Sequence, residues 1–252
     1  MLAELTWEET SAVLDEVVMD LLDQAGLPAL PVSALELARR VGILVAVDDD
    51  QRGRARSVRL SGRGRDARPA ILMRSDPRAE RRQFAVAHEI GEHVAHRVFD
   101  RLGVDPREAP PTTREQVANH LAGRILTPTD WLLAEGRSAD WDLFALKRRF
   151  ETASHELIAR RMLECPPSVV LSIFDNGRLY FRHSNVPGQV PPPSELEASC
   201  RRQANETGHP SHAEGVAAWP IHEPGWQREI VRREVDELAE DVIDEIPHWG
   251  YS

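Results

Sequence analysis

A chain of 252 residues is long enough for one large domain or two small ones, and it can bury a core without disulfides or structural metal. Its net charge of −10 argues against a general nucleic-acid binder, and its two cysteines, Cys165 and Cys200, form no CxxC, which excludes a disulfide framework and a thiolate zinc finger. No run of about 18 apolar residues occurs and the first residues lack a signal-peptide pattern, so no membrane partner and a cytoplasmic location are expected.

In chain order, Trp7 to Ala25 carries apolar residues at Val13, Leu14, Val17, Val18, Leu21 and Leu22, the one-faced spacing of a helix, and Gly26 stops it. Ser33 caps a short helix from Ala34 to Val41, and Ile43 to Val47 reads as a strand. Asp48 to Arg68 is polar and glycine-bearing, a loop or irregular hairpin, and Ala70 to Arg74 is a second strand. Eleven arginines lie between Arg52 and Arg82 against Asp66, Asp76 and Glu80. Such a stretch could touch phosphate or an acidic partner, or could be a solvated loop. A long helix follows from Ser75-Asp76-Pro77 to about Phe99, then another from Thr113 to Leu126, bounded by Pro110-Pro111 and Pro128.

Trp131 to Leu163 reads as two or three helices, of which Asp142 to Phe150 and Ser154 to Met162 form a helix-turn-helix-like pair. Ser168 to Phe174 and Arg178 to Arg182 are strands joined by an Asp175-Asn176-Gly177 hairpin turn. Pro187 to Pro193 is a loop, Val216 to Ile221 a further strand, and Trp226 to Ile246 an acidic amphipathic helix. The expected class is α+β. A mainly helical domain with a small sheet spans 1–165, including the helix-turn-helix-like helices within 141–164, and an α+β region spans 166–252.

Chemistry concentrates in His88-Glu89-Ile90-Gly91-Glu92-His93. Residues four apart on a helix lie about 40° apart around the axis, so two of them can grip one ion, as in the zincin motif HExxH. The residue after the first histidine then sets a carboxylate beside the water that attacks. Here the partner of His88 at that spacing is Glu92, an oxygen ligand that favours manganese or iron somewhat more than a second histidine would, with zinc still the first ion expected. His93 lies about 140° round a regular helix and could replace Glu92 as the ligand if a one-residue bulge brought it into line. His96 is about 12 Å along the axis from His88, too far to share an ion. Gly91 leaves room for another element to come close.

Arg82-Gln83-Phe84-Ala85-Val86-Ala87-His88-Glu89-Ile90-Gly91, followed by Glu115-Gln116-Val117-Ala118-Asn119-His120-Leu121-Ala122 and Leu126-Thr127-Pro128, resembles the ImmA/IrrE family of metallopeptidases over residues 30–165. The resemblance implies a zincin-like core in which His88 is a metal ligand, Glu89 the general base and Glu115 a third protein ligand. Glu92 stands where the family pattern carries its second histidine. The resemblance also implies that the strand Ala70 to Arg74 offers its edge to a peptide.

Two functions follow. The first is a metal-dependent endopeptidase that cleaves one protein partner, a helix-turn-helix transcriptional repressor, in stress response or transcription regulation. The second is a peptidase fold that has lost catalysis and persists as a binding or sensing module; under either, the resemblance implies that 168–252 is an appended regulatory region. Direct nucleic-acid binding through Asp142 to Met162 is disfavoured by the acidic charge of the chain.

Overall fold

The structure, a computed structural model, describes residues 6–50, 53–62 and 65–235. It is α+β, with eight helices and two sheets among the described residues. The chain divides into two compact units: one holds residues up to Ala134 together with Arg148–Ser154, the other Glu135–Lys147 and the described residues from His155 onward. No helix among the described residues is long and apolar enough to cross a membrane.

The first unit begins with α1 (Trp7–Ala25), capped by Thr6 and Glu9 in a reciprocal capping box and ended by Gly26. Leu14, Val17, Val18, Leu21 and Leu22 are buried on one face, each contributing about 1.5–3 kcal/mol relative to exposure. Ser33 caps α2 (Ala34–Arg40), as its position before an apolar run implies. Three strands follow: β1 (Leu44–Val47), β2 (Ala55–Gly62) and β3 (Arg65–Met73), in the order β1-β3-β2.

Of the two readings for Asp48 to Arg68, a loop or an irregular hairpin, the structure takes the hairpin. Within it β2 pairs antiparallel with β3, Ser57 opposite Ile71 and Ala55 opposite Met73, while β1 pairs parallel with β3 on the other side. This corrects the expectation that Ala70 to Arg74 forms a free edge. That segment is the central strand, because the Gly/Arg-rich stretch folds back and covers it, and β2 is the edge next to the long helix. Arg74 lies just past the end of β3, its N–H bonded to the Arg54 carbonyl at 2.8 Å.

That helix is α3 (Ala79–Arg101), packed against α4 (Pro111–Leu126). Val86, Ile90, Val94 and Val98 are buried on α3, and Ala118, Leu121, Ala122 and Ile125 on α4. The approach is close: a Cβ on Gly91 would lie 2.7 Å from the Ala118 carbonyl oxygen and 3.2 Å from Leu121 Cβ. Gly91 therefore sets how near the two helices come.

The second unit contains a sheet ordered β5-β4-β8-β7-β6, built from β4 (Val169–Asp175), β5 (Arg178–Ser184), β6 (Ser211–Ala213), β7 (Val216–Pro220) and β8 (Arg228–Glu234). The chain reaches it through α5 (Thr129–Ser138), α6 (Leu143–Arg149) and α7 (His155–Met162). β4 and β5 form the expected hairpin, with Asn176 and Gly177 at φ 47° and 76° in its turn. The helix α8 (Glu195–Thr207) follows the proline loop, and Phe174, Cys200, Ala204, Val216, Ala218 and Val231 pack together beneath it. Both cysteines are buried and free.

One expectation fails here. Arg228–Glu234, the start of the expected acidic helix, is the middle strand of this sheet; the rest of that segment, beyond residue 235, lies outside the described residues. The strand tolerates its charges because each meets an opposite one. Arg228 binds Asp175 in a fork at 2.6 and 2.7 Å, and fully buried Glu229 accepts from Asn205 at 2.9 Å with His222 Nε2 at 3.1 Å.

Candidate metal and catalytic centre

The close contact that Gly91 permits brings the middle of α3 against the first turns of α4. His88 points its Nδ1 at Asn119 Oδ1, 2.9 Å away. The amide oxygen can only accept, so the neutral ring carries its proton on Nδ1 and turns the lone pair of Nε2 outward. Nε2 faces two carboxylates, Glu92 Oε1 at 3.9 Å, one turn along the same helix, and Glu115 Oε1 at 3.6 Å, from α4. His88 is largely covered, 17% exposed at its side chain, whereas Glu92 and Glu115 are about half exposed. The site therefore opens to solvent on its carboxylate side.

Glu89 lies on the inner side. It is 5% exposed, and the hydroxyl and N–H of Ser57 on the edge strand hydrogen-bond its carboxylate, while Oε2 has no partner. Burial pushes this carboxyl above the ordinary glutamate range and the Glu92 charge adds to the rise; the Ser57 hydrogen bonds and His88 oppose it. His88, Glu89 and Glu92 can each bring one ligand atom within 4.8 Å of the others.

The residues present fit a divalent cation. An imidazole nitrogen with its lone pair aimed outward, two solvated carboxylates beside it and a buried carboxylate oxygen with no hydrogen bond form a donor set rich in negative charge. The structure thus brings together His88, Glu89, Glu92 and Glu115, and it places His93 elsewhere. His93 sits on the exposed flank of a regular α3, where partial burial and the neighbouring His96, Arg59 and Arg97 lower its pKa. Asn119 stands one helical turn after Glu115 on α4, but its bond to His88 emerges only in three dimensions. Ser57 carries no motif at all and is found only because β2 folds against α3.

Residues 38–163, half of the chain, match the IrrE N-terminal-like domain of a peptidase family. The chain belongs to this family. Among solved structures, it is similar to a Mycobacterium tuberculosis transcriptional regulator at 16% identity and a TM-score of 0.59, over 90% of this chain and 80% of that one. At that identity the likeness is one of fold. No curated protein matches the chain in sequence. The IrrE N-terminal-like match runs from within α2 to just past α7, and so includes all four clustered residues.

Proposed function

We propose that this chain is a metal-dependent endopeptidase acting on a specific protein, with a helix-turn-helix transcriptional repressor as the partner class. The observation that carries the reading is the arrangement around His88. Its Nε2 faces Glu92 and Glu115, with Asn119 holding the opposite ring nitrogen and Glu89 buried alongside. His88, Glu92 and Glu115 would hold one ion, zinc first and manganese or iron as the harder alternatives. Bound there, it would supply Lewis-acid chemistry, polarising a carbonyl and making a water more acidic.

The chain's own groups supply the rest. Asn119 keeps the His88 ring in one tautomer and one orientation. Glu89 takes a proton from the attacking water at its unsatisfied Oε2 and later delivers it to the leaving amine nitrogen. Ser57, donating to the same carboxylate, stops it from rotating away. The edge of β2 lies beside Glu89, so an extended substrate segment pairs with that strand. Residues 166–252 serve as a regulatory or interaction region, a role in keeping with a fold shared with a transcriptional regulator.

The metal content of the purified chain, read by elemental mass spectrometry, tests the reading. About one equivalent of metal per chain, lost in His88→Ala and kept in a Glu89→Gln variant that no longer cleaves, is the expected result. A chain that takes up no ion after reconstitution at neutral pH would leave the binding or sensing module as the better account.

A further inference from the structure

The arginine-rich stretch has a place in the site. A pocket of about 340 Å³ lies where β2 begins, β3 ends and α3 starts, lined by Gly53, Arg54, Met73, Arg74, Ser75, Asp76, Arg81, Arg82 and Ala85. Four arginines thus face one aspartate. Arg82 is held by the Asp76 carbonyl, and Arg81 stands 3.9 Å from the Asp76 carboxylate, beyond hydrogen-bond reach. At the rim, hydrogen bonds from Ser75 hold the Asp49 carboxyl below its ordinary range, and Arg74 lies close enough to add to that effect. Even with Asp49 counted beside Asp76, the four lining arginines leave the pocket an excess of formal positive charge. The first turn of α3 has no side-chain cap, and the positive end of its dipole adds to that excess.

The pocket is built into the path of a substrate. Ala85, on its wall, precedes Glu89 by one helical turn on the same face, about 6 Å along the axis. Arg54, also in the lining, stands just before the edge strand and three residues ahead of Ser57, at most about 10 Å along the chain. The Arg74 N–H bonded to the Arg54 carbonyl at 2.8 Å, together with Asp49 bound to the N–H and hydroxyl of Ser75 at 2.7 and 3.1 Å, holds the rim in place. A segment paired with β2 opposite Ser57 therefore carries a side chain into this pocket two or three residues away.

We propose that the pocket is a subsite for an acidic side chain, and that the protein segment bound along β2 carries an aspartate or glutamate two or three residues from the bond that Glu89 addresses. The inference rests on the peptidase reading and names the chemical class of its substrate. Charge complementarity selects the occupant: in a chain of net charge −10, this concavity is basic and sits at the end of an open strand edge.

The test uses the full chain carrying Glu89→Gln, so that peptides are bound and not cut. Fluorescein-labelled ten-residue threonine/valine peptides with two glutamates near one end are compared with their glutamine counterparts by fluorescence anisotropy. The glutamate peptides should bind about tenfold more tightly, equivalent to about 1.4 kcal/mol. The Arg74→Gln/Arg81→Gln double variant should erase the difference, and Arg81→Glu should shift preference toward lysine peptides. Equal binding of the two series, a preference that survives the double variant, or no peptide binding at all overturns the subsite. So does tighter, Arg74- and Arg81-dependent binding of a labelled single-stranded oligonucleotide. Metal retention by the same protein is read separately. A chain that keeps its ion and ignores glutamate refutes the subsite alone; one that binds glutamate peptides and no ion refutes the peptidase.

Discussion

Replacing Gly91 by alanine poses two physical effects against each other. On helix propensity alone the change should stabilise, by about 1 kcal/mol, since glycine in a helix interior gives up the most conformational freedom on folding. The packing says otherwise. The new methyl carbon would sit 2.7 Å from the Ala118 carbonyl oxygen, 3.2 Å from Leu121 Cβ and 3.3 Å from Ala118 Cα. Two of those atoms are backbone of α4, so no side chain can swing aside, and the helices must part by roughly half an ångström to restore van der Waals distance. Overpacking of this kind costs about 1–3 kcal/mol, which equals or exceeds the propensity gain. Metal sites tolerate about 0.2 Å in their ligand distances, so the parting should matter more to the site than to the fold. Because His88 is on α3 and both Glu115 and Asn119 are on α4, Gly91→Ala should weaken ion retention at least about tenfold while stability falls modestly. Urea unfolding followed through this unit and zinc titration of the chelated protein measure the two quantities. A variant about 1 kcal/mol more stable than the parent, with zinc affinity unchanged, would refute the argument from close approach.

Asn119→Ala removes the acceptor that fixes the His88 tautomer and should lower metal affinity about 10–100-fold, read by competition with a chromophoric chelator. Glu92→Ala should strip the ion on dialysis and His93→Ala should not; the reverse pattern would move the ligand assignment to His93. Glu197 is 2% exposed and forked by Arg182 at 2.8 and 3.2 Å, so Glu197→Ala leaves a buried guanidinium unopposed and should cost about 3–5 kcal/mol in thermal or denaturant unfolding. Burial alone would raise the Glu197 pKa, but the hydrogen bonds of Arg182 and Ser194 with the charges of Arg182 and Arg233 lower it. A depressed carboxyl contributes its stability above the unfolded-state value, near 4.3, and loses it as pH falls through the folded value. Glu197→Gln should therefore flatten the acid limb of the stability profile below about pH 5, and a limb of unchanged slope would contradict the pairing.

Local chemistry made much of the first unit legible from sequence. Thr6, Gly26 and the apolar stripe define α1, Ser33 starts α2, and the His88–Glu92 spacing together with the block from Glu115 to Asn119 points to the facing helices. What failed had a common cause: the partner lay far away in the chain. Ala55–Gly62 is polar and arginine-rich, so its sequence leaves loop and irregular hairpin open; only pairing with β3 makes it a strand and sets Ser57 against Glu89. Arg228–Glu234 has a charge density that suits a surface helix. It is instead a central strand, because Asp175 accepts from Arg228, and Asn205 donates to buried Glu229 with His222 beside it. α8 was missed although Ser194 and Glu197 spell a capping box, a signal hidden behind the prolines that precede it.

The carboxylates of the candidate site divide by exposure, and the division suits Glu92 to the proposed role of ligand. A charge costs little where water still solvates it and much where it does not. Glu92 and Glu115, 47% and 56% exposed at their side chains, keep their charge at small expense and present it to whatever approaches His88 Nε2. Glu89, covered by α3 and β2, has one oxygen that neither protein nor bulk solvent satisfies. A carboxylate in the position of Glu92 therefore adds attraction for a cation without adding a buried charge, whereas the same substitution at the depth of Glu89 would destabilise the fold. On the proposed reading, the motif's acidic variant would favour oxygen-preferring cations, and the gradient of exposure from Glu115 to Glu89 would separate the groups proposed to hold the ion from the group proposed to move the proton.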